Sequence, residues 1–436
     1  MAPRGVSASE SNSINTLEEE IFLQGRPMNV SDESIGIDGV TWHDYERDLE
    51  ANLIDLQGRI HRGSYRAKPS RRRYIDKPDG RKRKLGITSL EDKIVQHAIS
   101  EILQCICEAD SLGFSYGFRR GKSQHDALDA LSVAIFDKKV NWILDADVEG
   151  FFDTINHDWM ITFLEHRVGD RRILQLIRKW LKAGVSEDGV VSETNVGAPQ
   201  GAVISPLLSN VYLHYVFDLW IHWWRESRCR GDVVAVRYAD DFVIGFEHKD
   251  EAEACLEEIR VRFAEFGLKL HDGKTRLIEF GRFAAMNRKR RGEKRPETFD
   301  FLGFTHQCGR TRKDGCFAIH RHSIAKRMRA TLFAIRLKLR KRRHRPLGET
   351  GRWLRSVVQG WLNYHAVPNN SHRIGRFVDE VIRHWLHEMR RRSQRGKSRW
   401  TWERMKRLGR KHLPRPRIIH PYPSERFRAR LEAGAV

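Results

Sequence analysis

Two clusters of aspartate are the residues of this chain best suited to chemistry. Asp145, Asp147 and Asp153 follow the apolar stretch VNWIL, and Asp240-Asp241 interrupts VVAVRYADDFVIGF. A carboxylate within a strand is costly to bury unless it is paired or bound to a cation. If the two strands pair, Asp147 and Asp240 approach each other, and carboxylates held close cannot all ionise without counter-charge. A hard divalent cation meets that need, since Mg²⁺ favours a few carboxylates together with phosphate oxygens. Two such ions about 3.5–4 Å apart clamp the attacking and leaving oxygens of an in-line displacement. That is the chemistry of nucleotidyl transfer. The plainer reading of Asp240-Asp241 is a hairpin turn, a common place for aspartate. Taken alone, the pair does not separate the two.

The elements that must position these acids are legible in the surrounding text. VNWILDADV reads as a short buried strand, and VVAVRYADDFVIGF as a hairpin with Ala239-Asp240-Asp241 near its tip. Helical periodicity runs through 42–60, 90–108, 158–184, 206–225 (one long apolar helix) and 250–266. SRRRYIDKPDGRKRKLGI predicts two short strands about a turn at Pro78-Asp79-Gly80, SEDGVVSE a turn and strand, and 286–297 a charged loop. After about residue 318 the chain becomes basic and helical: HRHSIAKRMRATLFAIRLKLRKRRHR, then faces at Trp353, Val357, Val358, Trp361 and Leu362 and at Phe377, Val381, Ile382 and Trp385. Residues 1 to about 15 are polar and predict disorder, and LPRPRIIHPYPSERF predicts an irregular end.

Composition narrows the partners. Lys and Arg number 79 against 57 Asp and Glu, a net charge of +22 over 436 residues. Such a balance points to nucleic acid or an anionic membrane. No apolar run approaches the ~20 residues of a membrane helix, and the first residues hold no apolar signal core. Nucleic acid in a cytoplasmic setting is the reading that remains. Six cysteines (Cys105, Cys107, Cys229, Cys255, Cys308, Cys316) show no zinc spacing and read as small buried hydrophobes.

Ordered motifs decide between the readings of the aspartates. Asp147-Val148-Glu149-Gly150-Phe151-Phe152-Asp153, Gly197-Ala198-Pro199-Gln200-Gly201 with Ser205-Pro206-Leu207-Leu208-Ser209-Asn210, Tyr238-Ala239-Asp240-Asp241, Gly267-Leu268-Lys269-Leu270 with Lys274-Thr275, and Phe301-Leu302-Gly303-Phe304 follow one another. Upstream stand Lys77, Arg83-Lys84-Leu85-Gly86-Ile87 and Ser115-Tyr116-Gly117-Phe118-Arg119; downstream come Gly360-Trp361-Leu362-Asn363-Tyr364 and LPRPRIIHPYP. This series resembles the bacterial group II intron-encoded reverse transcriptases and maturases, over nearly the whole chain.

The resemblance implies an α+β right-hand polymerase, with fingers, a palm of antiparallel sheet and a helical thumb, followed by a basic helical maturase region. It implies a disordered 1–15, fingers and palm over 16–310, thumb and maturase over 311–400, and a basic Pro-containing tail over 401–436. Asp147 and Asp240 are then the main metal ligands, Asp241 the third acid and the Val148 carbonyl a further ligand, for two Mg²⁺ ions that Mn²⁺ can replace. Asp145 and Asp153 lie off the pattern and read as local hydrogen-bonding or capping acids. Phe152 becomes an aromatic gate beneath the sugar, excluding a 2′-hydroxyl, where without the motif it reads as core beside Phe151. Lys77 and Arg83 hold the triphosphate, although Asp76, Lys84 and Thr88 stand where the family commonly has proline. Gln200 and Gly201 contact the incoming nucleotide and template. Lys274 reads as a proton donor to pyrophosphate, or equally as a surface lysine. Trp353, Trp361, Trp385, Trp400 and Trp402, at helical spacing, read first as core.

The activity implied is RNA-directed DNA synthesis, copying intron RNA and assisting splicing and mobility as a ribonucleoprotein. The implied partners are intron RNA, target DNA and deoxynucleotides, without a membrane, in the bacterial cytoplasm at the nucleoid; the oligomeric state stays open. The form is the one without a His-Asn-His endonuclease, since 305–436 offer no such set and no cysteine lies beyond Cys316. Two other readings stand beside it: a reverse transcriptase of a defence or diversity-generating system, and an RNA-binding splicing factor without polymerase activity.

Overall fold

The computed structural model describes residues 35–76, 82–192, 196–311 and 313–432. The disorder expected of residues 1–15, the turn at Pro78-Asp79-Gly80 and Lys77 lie outside the described residues. Two compact units are formed: one from the described residues 35–127 with 139–278, the other from 128–138 with 279–432.

The first unit opens with α1 (Trp42–Glu46), whose N-terminus is closed by reciprocal Thr41 and Asp44 bonds, and α2 (Leu49–His61). Strands β1 (Ser70–Asp76) and β2 (Lys82–Ile87) pair antiparallel and α3 (Leu90–Asp110) follows, whereas α4 (Gln124–Asp137) belongs from residue 128 onward to the second unit. β3 (Trp142–Asp147) carries the first acids and ends at α5 (Phe151–Thr154), α6 (His157–Glu165) and α7 (Arg171–Lys182). The helical stretch expected over 158–184 is therefore two helices. Asp170 divides them, because its side chain accepts from the Arg172 amide and starts a new helix. A short hairpin, β4 (Val185–Glu187) and β5 (Val190–Ser192), joins β1 in parallel through β4, giving the order β2-β1-β4-β5.

The second sheet positions the acids. Its order is β6 (Val233–Tyr238), β7 (Asp241–Phe246), β3, β8 (Arg276–Glu279). β7 is central, and all of it after Asp241 is buried, which is why DFVIGF reads as a continuous apolar run. Against this sheet pack α8 (Ser205–Leu213), α9 (Leu219–Ser227) and α10 (Lys249–Glu265), with Phe217, Phe242 and Phe263 stacked edge and face in the core. The one long helix expected over 206–225 is interrupted: His214–Asp218 form a π turn between α8 and α9. A π turn adds a residue to the helical circuit and re-aims a side chain, and here the residue that ends it, Asp218, is buried in an ion pair with Arg237.

In the second unit, β9 (Phe299–Phe301), β10 (Phe304–Arg310) and β11 (Phe317–Ser323) form an antiparallel sheet. The helix expected from residue 318 thus begins only at α12 (Ala325–Lys341), after α11 (Ala284–Arg290), which itself occupies the start of the expected charged loop. FAIHRHS alternates with period two and buries Arg321 and Ser323, a strand pattern that its basic composition masks. Helices α13 (Leu347–His365), α14 (Ser371–Arg390), α15 (Gly396–Arg399) and α16 (Trp402–His412) build a core on Leu354, Val358, Phe377, Val381 and Trp385. All five tryptophans of the basic end lie in or against that core. The final segment is irregular only to residue 422 and then forms α17 (Pro423–Glu432). Arg426 on α17 and Arg321 on β11 both bond the buried Asp129 of α4, at 2.5 and 2.7 Å.

Candidate active site

Strand register brings the two acidic clusters together. On β3 and β7, Asp147 lies directly opposite Asp241, and the β6–β7 register sets Tyr238 opposite Asp241 from the other side. Ala239 and Asp240 form the turn itself. Ala239 adopts φ 55°, the left-handed region that an L-residue enters only under constraint. The half-buried Asp240 has its carboxyl held above the usual range, by burial first and by the charge of Asp147; Arg83 and Arg237 pull the other way. The Lys274 ammonium pairs with the Asp147 carboxylate. Asp145, two residues earlier on the same strand, is engaged in a 2.9 Å ion pair with Arg276, and the exposed Asp153 sits in the first turn of α5.

These groups suit a divalent cation. Among the described residues no three His, Cys, Asp or Glu side chains already converge as a metal set. The chemistry of the donors nevertheless fits: one carboxyl is raised by burial and by its neighbour's charge, and that neighbour takes its counter-charge from an exposed lysine. Asp147, Asp240 and Asp241 with the Val148 carbonyl would hold the ions, which, when bound, activate the attacking hydroxyl and neutralise the leaving phosphate. The β3 end is itself clamped. His271 donates its amide to the Asp147 carbonyl at 2.8 Å, Glu149 donates to the Lys269 carbonyl at 2.8 Å, and Val148 bridges Leu270.

Phe152 is only partly buried, whereas Phe151 is 2% exposed; the two rings meet edge-on at 5.4 Å. The Phe152 backbone is fixed from the next motif, because the Ala198 amide donates to its carbonyl at 2.7 Å and the Gly197 amide donates to Ile155 at 2.8 Å. His157 in turn holds the Gly197 carbonyl at 2.6 Å. The Gln200 carbonyl accepts from the Gly86 amide of β2 at 2.7 Å, so the half-buried Gln200 is tied to the strand that carries Arg83. Gly201 has φ 107°, and a Cβ there would lie 3.0 Å from the Gly86 carbonyl oxygen. Along β2 the exposure alternates, so Arg83 turns partly inward toward Asp240 while Lys82 and Lys84 face solvent.

Sequence reasoning missed Arg237 and Asp218. Both are 1% exposed and meet in a two-pronged ion pair at 2.6 and 2.5 Å. A charge inside VVAVRYADD calls for a partner by the same argument that singled out the aspartates, and so does Asp218 within an apolar helix. Gly117 was noted only as part of a motif; it packs against Ala239, with room for no Cβ.

The family model described as "Reverse transcriptase (RNA-dependent DNA polymerase)" matches residues 75–306, which contain every element of this site. The chain belongs to the reverse transcriptase family. The sheet carrying Asp147, Asp240 and Asp241 is accordingly the palm, and the activity is RNA-directed DNA polymerisation. This reverse transcriptase is 34% identical over 298 residues to Protein YkfC of Escherichia coli, covering 60% of this chain and 78% of that protein. It is 38% identical over 170 residues to the Group II intron-encoded protein LtrA of Lactococcus lactis, covering 38% of this chain but only 28% of that protein. A solved telomerase from Candida albicans, with a fragment of telomeric RNA, aligns at a TM-score of 0.43 and 11% identity, over 84% of this chain and 65% of that one. Among the described residues no helix is long and apolar enough to cross a membrane.

Proposed function

We propose that this reverse transcriptase works within a ribonucleoprotein of a group II intron, copying the intron RNA into DNA at a target site and assisting the intron's splicing. The observation that carries the polymerase chemistry is the register that sets Asp147 opposite Asp241 beside the turn residue Asp240. In this reading two Mg²⁺ ions, replaceable by Mn²⁺, bind Asp147, Asp240, Asp241 and the Val148 carbonyl. Arg83, with Lys77, holds the triphosphate. Phe152 sits beneath the sugar and excludes a 2′-hydroxyl, and Gln200 and Gly201 line the nucleotide and template. Lys274, paired with Asp147 before the ions bind, donates a proton to the pyrophosphate as it leaves.

The intron assignment is supported by the printed name of the LtrA relative and by the basic helical end, whose exposed cations suit RNA phosphates. Residues 16–310 would act as fingers and palm, 311–400 as thumb and maturase, and 401–436 as a basic tail. Target DNA as a partner would put the particle at the bacterial nucleoid. The test uses the purified chain with two RNAs of equal length, one carrying the group II intron that flanks the gene and one unrelated. Intron-selective splicing enhancement together with RNA-templated primer extension is the expected result. Extension on both RNAs with no effect on splicing would leave a polymerase and remove the intron.

A further inference from the structure

We propose that Arg237 is a positioning residue for the metal-binding carboxylates, its guanidinium setting the hairpin turn that presents Asp240 and Asp241. The proposal rests on the reading of those acids given above. Arg237 lies on β6 immediately before Tyr238, with its side chain aimed into the protein and 1% exposed. Four of its N–H groups find acceptors. Nε and Nη2 donate to the two oxygens of Asp218 at 2.6 and 2.5 Å. Nη1 donates to Asn210 Oδ1 at 3.1 Å and to the Ala239 carbonyl at 3.0 Å. That last bond is the one that matters for the site. The Ala239 carbonyl belongs to the peptide joining Ala239 to Asp240, so the guanidinium fixes the plane from which Asp240 leaves the turn.

The surrounding structure commits further bonds to the same point. The Asn210 amide donates to the Gly117 carbonyl at 2.6 Å, and Gly117 packs against Ala239 too closely for any Cβ. Arg237 also exchanges backbone bonds with the 114–116 segment, donating to Phe114 at 2.8 Å and accepting from Tyr116 at 2.9 Å. A left-handed alanine is strained relative to its ordinary conformation. A turn with that strain persists where its surroundings over-determine it, and Arg237 bonds the Ala239 carbonyl of this one while also holding Asn210 and Asp218. Asp218 reaches it from the π turn, which gives the interruption of the long helix a purpose. Lysine would keep the charge opposite Asp218 but lacks the planar fork needed to bridge Asp218, Asn210 and Ala239 together.

The experiment separates positioning from stability. Arg237→Met alone leaves Asp218 buried without its guanidinium, with only His214 Nδ1 3.9 Å away, and the melting temperature of that variant falls. The double variant Arg237→Met with Asp218→Leu replaces the pair by apolar groups of similar volume, an exchange that recovers stability in other buried pairs. Three quantities are read on the full chain: melting temperature, Mn²⁺ affinity of the protein alone by electron paramagnetic resonance, and the kcat of single-nucleotide addition, with KM for primer–template as the control. The expected result is a double variant that recovers its melting temperature but loses at least about tenfold in both Mn²⁺ affinity and kcat, with KM for primer–template unchanged. Recovery of all three quantities would reduce Arg237 to a stabilising ion pair and overturn the proposal. Arg237→Lys is read in the same way, so the test does not depend on the double variant folding: wild-type Mn²⁺ affinity and kcat in a folded Arg237→Lys also overturn it. Asp240→Asn is the control for the underlying site. If it binds Mn²⁺ and extends primers normally, the site reading itself fails; if it is inactive while the Arg237 variants are normal, only the positioning role fails.

Discussion

Gly117→Ala is the sharpest perturbation of the site that touches none of its acids. A Cβ on Gly117 would sit 2.3 Å from the Ala239 amide nitrogen and 3.0 Å from its Cα, where ordinary contact begins near 3.4 Å. The obstructing atoms are backbone, so no rotamer change relieves them. Roughly 1 Å of movement must come from the hairpin tip or from the 114–119 segment, and both are pinned by Arg237. Misplacement of that size costs about 100-fold in rate when it reaches reacting groups, and inserting one carbon into a packed interior costs about 1–3 kcal/mol of stability. We expect Gly117→Ala to lower kcat for single-nucleotide addition on an RNA template by about two orders of magnitude, with a modest drop in melting temperature and little change in RNA affinity. A folded variant with kcat within about threefold of wild type would refute the claim that the turn must be held where it is.

Other consequences follow from different parts of the molecule. Phe152→Val should raise incorporation of ribonucleotides relative to deoxynucleotides by at least about tenfold, read by single-nucleotide addition; an unchanged ratio would make Phe152 core. Gly201→Ala forces an L-residue to φ 107° against the Gly86 carbonyl and should weaken nucleotide use through KM before kcat, measured by steady-state titration. Burial holds both His306 and His365 down to about 3, so the folded second unit binds fewer protons than the unfolded chain as pH falls from 6.5 toward 3. Stability therefore falls on acidification, by about 2 kcal/mol for each histidine at pH 5, and His306→Phe should flatten the loss between pH 7 and 5 in thermal melts. An equal loss in that variant would contradict the assignment. Binding to intron RNA should weaken steeply with salt yet keep a preference over a scrambled RNA at every salt concentration; equal affinities throughout would leave only nonspecific charge.

The part of the site that was legible in the sequence is the part written locally. A short apolar strand ending in Asp147, and a hairpin with acids at its tip, announce themselves because burial and charge conflict within a few residues. The approach of Asp147 to the hairpin acids follows from that hairpin and one further strand, although the residue set directly opposite Asp147 is Asp241 rather than Asp240. What was not legible depends on contacts between distant segments. Asp218 and Arg237 each looked like an isolated polar residue in an apolar run, and only the π turn and the β6 register bring them together. The strand Phe317–Ser323 was hidden because its basic residues continue without a break into α12, so composition outweighed period. The division of 158–184 was available in principle, since Gly169-Asp170 is a stop followed by a cap.

The central claim is that the carboxylates at this hairpin carry RNA-directed DNA synthesis. Asp240→Asn keeps the size of the side chain, removes its charge and replaces one acceptor oxygen by an N–H donor group. Primer extension on an RNA template and RNA binding should be measured side by side on this variant and the wild type. Extension is expected to be lost while RNA affinity is unchanged. Near-normal extension by Asp240→Asn would contradict the central claim.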